Sequence, residues 1–228
     1  MGSEDLFHKK SKLNGLKRKA ATRVRQPRIL IVCEDSKSSA FYFEAMANDL
    51  RLSAVDVRGK ECGSAPSSLF NYAKNQYELS KKEGKKYDAV YCVFDKDQPT
   101  CFDATVTSIN ELKANKKPFS AITATPCFEF WLLLHFEYDA SPYAATGNKS
   151  ICDCAISKLQ PYWKEVFGVD YGKNKRDIYT RLKGDKAAAA IQHAYRLADE
   201  NVKINSNNPQ TNMYVLVEYL QTLSQNRQ

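Results

Sequence analysis

Glu34 directly follows the apolar run Ile29 to Cys33, Asp95 directly follows Val90 to Phe94, and Asp97 stands two residues further on. In an open parallel sheet, ligands bind outside the carboxyl ends of the strands, so side chains leaving those ends are the ones placed to meet them. If the two runs are neighbouring strands, Glu34 and Asp95 converge, and in extended chain Asp97 points the same way as Asp95. Three acids gathered without paired bases repel and raise one another's pKa, an arrangement stabilised when a cation neutralises it. Hard oxygen ligands suit Mg²⁺ or Mn²⁺. Such an ion polarises a phosphoryl oxygen and lowers the pKa of a bound water, which phosphodiester cleavage requires. The competing reading makes Asp95 and Asp97 turn or helix-cap residues, positions where aspartate is common.

Other residues join this set with an ordinary reading beside each. Glu129 is the sole charge in the apolar segment Pro126 to Phe136. It is either a buried carboxylate that needs a partner or a metal, or the exposed side of an amphipathic helix. Lys37, in the turn beside Glu34, is placed to contact a scissile phosphate, against the reading of a surface lysine. His135 reads as a hydrogen-bonded core histidine, with orientation of a water or phosphate as its alternative. Lys96 points away from its flanking aspartates if the segment is extended. Lys173, Lys175 and Arg176 beside Tyr171 make a basic loop with one aromatic, a composition suited to phosphate and base contacts or to plain solvation. Of the seven cysteines only Cys152 and Cys154 are close-spaced, and a structural zinc site needs a second pair or suitably spaced histidines. The thiols read as reduced, in a cytosolic protein.

The elements that must position these groups alternate. Arg28 to Cys33 reads as a strand buried on both faces, and a polar turn leads into a helix over Ala40 to Leu50. Val55 to Val57 reads as a short strand, Ser67 to Lys82 as a helix, and Tyr87 to Phe94 as the second strong strand. A helix over 102 to 114, a core strand over Phe119 to Thr123 and the apolar segment to Phe136 follow. This order predicts an α/β domain with a mainly parallel sheet over residues 27–136. Beyond it, helices are expected at Ser150 to Tyr162, Asp177 to Leu182, Asp185 to Asn201 and Thr211 to Leu223, forming a helical region over 137–228 packed on the sheet domain.

The chain has 228 residues with 43% hydrophobic and 26% charged side chains, the balance of a soluble globular protein. No apolar run approaches the ~18 residues of a membrane span. Its net charge of +8 is concentrated: residues 1 to 28 hold nine basic against two acidic side chains. The first 26 residues read as a flexible basic arm, suited to a nucleic-acid backbone or merely to solubility.

With these residues in view, the chain resembles Toprim domains, whose signature is a glutamate after the first strand and an Asp-x-Asp after a later one, here Glu34 and Asp95-Lys96-Asp97. It more closely resembles the RloB family. The matching segments are Ile29 to Glu34 with Lys37 and Tyr42-Phe43, Val93 to Asp97, Thr125 to Phe136, and Asn208 to Tyr214 with Leu216-Val-Glu218. The Pro-Cys-Phe-Glu-x-Trp-Leu segment is the most specific. The resemblance implies a Toprim-like mainly parallel sheet flanked by helices with a C-terminal helical region. It also implies a metal-dependent nuclease acting in abortive anti-phage defence, beside an ATPase partner. On the enzyme reading Glu34, Asp95 and Asp97 hold Mg²⁺ or Mn²⁺, Glu129 aids a second metal, Lys37 contacts the scissile phosphate, and an endonuclease cleaves RNA or DNA. The sequence departs from the family in its first turn: Glu34-Asp35 and Ser38-Ser39 stand where Glu-Gly and a Thr-Glu pair are usual. That departure supports a second reading, a non-catalytic module with a degenerate site that binds nucleic acid or the ATPase.

Overall fold

The computed structural model describes residues 25–59, 65–96 and 101–226. All but the last two residues of the basic arm, and Asp97, lie outside them. Five strands form one sheet in the order β2-β1-β3-β4-β5. They are β1 (Ile29–Cys33), β2 (Val55–Arg58), β3 (Ala89–Asp95), β4 (Phe119–Thr125) and β5 (Gln210–Thr211). The first four run parallel, and β5 is antiparallel to β4. The expected α/β architecture is therefore present, with helices on both faces and a helical C-terminal part.

Residues of β1 alternate between two cores. Ile29, Ile31 and Cys33 face one side, and Leu30 and Val32 the other. All five are fully buried, which is why the run is apolar without interruption. On the first face lie α1 (Ser38–Asp49), α4 (Phe128–Leu133), α5 (Ile151–Phe167), α6 (Ile178–Leu182), α7 (Asp185–Ile204) and α8 (Met213–Gln225). On the second lie α2 (Pro66–Lys82) and α3 (Phe102–Ala114). The chain leaves β1 through α1 on one face and returns to β3 through α2 on the other. The strand order thus reverses direction between β1 and β3, and that reversal opens a crevice at their carboxyl ends.

Two local devices differ from the expectations. The fifth strand was not anticipated: Gln210–Thr211 is only two residues long, where the sequence suggests the start of a helix. It is held by side chains acting as backbone. Asn212 Oδ1 accepts from the Thr123 N–H at 2.6 Å, Asn212 Nδ2 donates to the Ala121 carbonyl at 3.0 Å, and Thr211 Oγ1 donates to the Thr123 carbonyl at 3.2 Å. Helix α5, which contains Pro161, also runs past the expected end at Tyr162 to a left-handed cap at Gly168. Its start is fixed by a reciprocal capping box between Ser150 and Asp153.

Candidate metal and phosphate site

The β1–β3 ladder continues one residue past β1, where the Glu34 N–H donates to the Val93 carbonyl at 2.9 Å. Glu34 Oε2 in turn accepts the backbone N–H of Asp95 at 3.0 Å. The two acids at the strand ends, 61 residues apart in sequence, are therefore joined at the crevice. Helix α4 brings the third. Glu129 lies in its first turn, and the N–H of the preceding Phe128 donates to the Asp95 carboxylate. Burial first, then the charges of Glu129 and Glu34, push the Asp95 carboxyl well above the ordinary range, against the lowering effect of the Phe128 N–H. No Lys or Arg lies within ion-pair distance of the Asp95 carboxylate among the described residues.

Glu129 is only 1% exposed, so it does not present the solvent-facing side of an amphipathic helix. Both of its oxygens are occupied. Oε1 accepts from Ser38 Oγ at 3.0 Å and from Tyr171 Oη at 2.9 Å. Oε2 accepts from Cys152 Sγ at 3.5 Å and pairs with Lys173 Nζ at 3.5 Å. Burial alone pulls the Lys173 ammonium down, but Glu129 and the neighbouring Cys152 more than offset it, and its pKa is raised. Burial, then Glu129, hold the Tyr171 phenol well above its usual value, so it stays a donor.

The altered first turn is intact. Asp35 does not need the positive φ that glycine permits. Its carboxylate is directed at α1: Oδ2 accepts from Ser38 N–H and Oγ, and Oδ1 from Ser39 N–H and Oγ, at 2.6–3.2 Å. Asp35 thus caps α1 and orients Ser38, which reaches Glu129 in its turn. The end of β2 closes tightly on this turn, since a Cβ at Gly59 would lie 2.6 Å from the Asp35 carbonyl oxygen and 2.9 Å from the Ala40 Cβ. Beside it opens a crevice of about 210 Å³ lined by Ser36, Phe41, Arg58 and Arg176 among others, with the Arg176 guanidinium 4.3 Å over the Phe41 ring.

Of the residues expected at the site, Glu34 meets Asp95 through the Asp95 N–H and Glu129 lies near enough for its charge to act on Asp95, but among the described residues these three carboxylates do not gather within 4.8 Å of one another, and Asp97 lies outside the described residues. Lys37 is exposed at the mouth of the turn, with no ion pair among the described residues. Lys96 is turned to α3, paired with Asp103 at 3.1 Å and lying over the Phe102 ring. His135 is a core residue, 2% exposed, with Nδ1 donating to the Trp131 carbonyl at 2.9 Å, and burial lowers its pKa to about 3. Sequence reasoning treated Lys173 and Tyr171 only as a basic loop and gave Ser38 no contact with Glu129; it did not foresee Cys127 beside Cys152. Their sulfurs stand 2.6 Å apart, and with Glu129 their ligand atoms lie within 4.8 Å of one another.

A family model described as RloB-like protein matches residues 29–220. No curated protein and no solved structure matches the chain.

Proposed function

The chain belongs to the RloB-like family, and from that premise we propose that it is a metal-dependent nuclease hydrolysing phosphodiester bonds of RNA or DNA, acting in anti-phage defence. The observation that carries this reading is the Glu34 carboxylate seated on the Asp95 N–H, with Glu129 close enough to raise the Asp95 pKa further. Hard oxygen donors brought to one crevice, with no cationic side chain paired to Asp95 among the described residues, suit a Mg²⁺ or Mn²⁺ ion that would draw the Glu34 and Asp95 carboxylates together. Glu34 and Asp95 would hold it, with Asp97 as the further ligand the motif offers. When bound, the ion would supply Lewis-acid polarisation of a phosphoryl oxygen and a water of lowered pKa.

The chain's own groups divide the remaining work. Lys173, anchored by Glu129, presents an ammonium beside the acids, where it stabilises charge on phosphate oxygens. Lys37 is the exposed cation at the mouth, suited to the phosphate of an incoming strand. Ser38 and Tyr171 hold Glu129, so Glu129 acts here by positioning Lys173 and by adding negative potential at Asp95. In the crevice beside the turn, Arg176 lies over Phe41 and pairs with Glu44 at 3.7 Å, and an exchange of that partner for a phosphate would bring a cation to the strand next to the scissile bond.

The test is cleavage of single-stranded and structured RNA and DNA with Mg²⁺ or Mn²⁺, comparing the native chain with Glu34→Gln and Asp95→Asn. Several kcal/mol of transition-state stabilisation correspond to a loss of roughly 10²–10⁴-fold in each variant, with folding retained. Equal rates in all three would remove these acids from the mechanism. No cleavage by the native chain, alone or with an ATPase partner, would favour the non-catalytic binding module.

A further inference from the structure

Cys127 stands just before α4 and Cys152 in the first turn of α5, 25 residues later. Their sulfurs are in contact at 2.6 Å. Cys127 is buried and Cys152 half-buried, so of the two Cys152 is the residue nearer to solvent. Helical spacing turns Cys154 away from this pair, and its thiol donates instead to the Ala144 carbonyl at 3.4 Å. The pair adjoins the acidic cluster, since Cys152 Sγ also donates to Glu129 and lies 3.6 Å from Lys173 Nζ.

We infer that Cys127 and Cys152 are a reversible oxidation site, converted by a peroxide to a disulfide that ties the start of α5 to the approach of α4. The Cys152 sulfur attacks one peroxide oxygen, the O–O bond breaks, and the thiol proton leaves with the departing hydroxide as water, giving a sulfenic acid. The Cys127 sulfur then attacks the Cys152 sulfur. An S–S bond forms, the S–O bond breaks, and the Cys127 proton leaves with that hydroxide as a second water. Two thiols lose two electrons, and the peroxide is reduced to two waters. A bivalent thiolate site for a single soft metal fits less well: at a metal–sulfur distance of about 2.3 Å the two sulfurs would have to stand well apart.

Oxidation removes the Cys152 S–H donor from Glu129 and fixes Cys127 beside the Phe128 N–H that serves Asp95. The oxidised protein is therefore expected to cleave more slowly, by roughly three- to tenfold. This consequence rests on the nuclease reading, and the cross-link does not.

The experiment treats the full chain with stoichiometric hydrogen peroxide and measures intact mass, free thiols and cross-linked peptides, with bound zinc assayed beforehand. The expected result is a loss of about 2 Da and of two thiols, one peptide pair joining Cys127 to Cys152, absent in Cys152→Ser and retained in Cys154→Ser, and reversal by a thiol reductant. Over-oxidised Cys152 without that peptide pair, a Cys152–Cys154 pair, or stoichiometric zinc on these thiols before treatment would each overturn the site. If the cross-link forms and cleavage is unchanged, its control of the site falls while the modification stands. If the cross-link forms and no form of the protein cleaves, the nuclease reading alone falls.

Discussion

Asp95 and Glu129 belong to one acidic cluster yet are treated in opposite ways. Every oxygen of Glu129 has protein partners, including the Lys173 ammonium. Asp95 receives a backbone N–H from Phe128 and the repulsion of two neighbouring carboxylates, and it pairs with no cationic side chain among the described residues. One charge is settled by the fold and the other is left for something outside it. The difference separates a residue held by protein partners from one that, on the proposed reading, would take a ligand, although both are acids beside the same crevice.

That contrast breaks most visibly at Glu129. Truncation in Glu129→Ala leaves Tyr171 as a buried donor without its acceptor and Lys173 without its counter-charge, while Ser38 keeps Asp35, a destabilisation of about 2–4 kcal/mol. Thermal denaturation should register this as a fall in Tm of roughly 5–15 °C. An unchanged Tm would mean that Glu129 is no more settled than Asp95.

At Asp95 the sign reverses. Its carboxyl holds a proton to higher pH in the folded chain than in the unfolded one, so the folded state binds more protons between the two pKa values. Its contribution to stability is present at acid pH and is lost as pH rises through the raised folded pKa. On the proposed reading a divalent ion would take the place of that proton. Saturating Mg²⁺ should therefore raise Tm by several degrees at pH 8 and by clearly less at pH 5. Asp95→Asn should raise the metal-free Tm at pH 8 by about 2–4 °C and lose the response to the ion. A fall in the metal-free Tm on this substitution would show that Asp95 is compensated after all.

Smaller effects sharpen the comparison. Tyr171→Phe removes one donor to Glu129 and should cost about 1–2 kcal/mol by chemical denaturation, with a Mg²⁺ response retained. Asp35→Ala removes the cap of α1 and should cost about 1 kcal/mol, which would assign the departure from the family's first turn to helix capping.

The positions of Glu34 and Asp95 were legible in the sequence because β1 and β3 are buried on both faces, so each reads as an unbroken apolar run with an acid at its end. Glu129 announced itself as a lone charge in an apolar segment, but its partners Ser38, Tyr171, Cys152 and Lys173 come from 23 to 91 positions away and leave no local signal. Beside Glu34, Asp35 offers one more acid to the crevice by position alone. An aspartate three and four residues before two serines is equally a helix cap, and that reading matches its contacts. The start of α5 was legible at Ser150, and its end was available in Gly168, which follows the helix's own last residue, Phe167, beyond the expected end at Tyr162. Gln210–Thr211 could not be read as a strand, because two polar-flanked residues carry no periodicity and Asn212 supplies the pairing by side chain.

That short fifth strand has a consequence for self-association. Residues 210–212 saturate the outer backbone groups of β4 near Thr123 and Ala124 and offer only two residues of their own beyond. A chain ending before Gln210 would expose the rim of a long apolar strand as a template for a second molecule, and aggregation would follow from the same hydrogen-bonding groups that now keep the sheet finite.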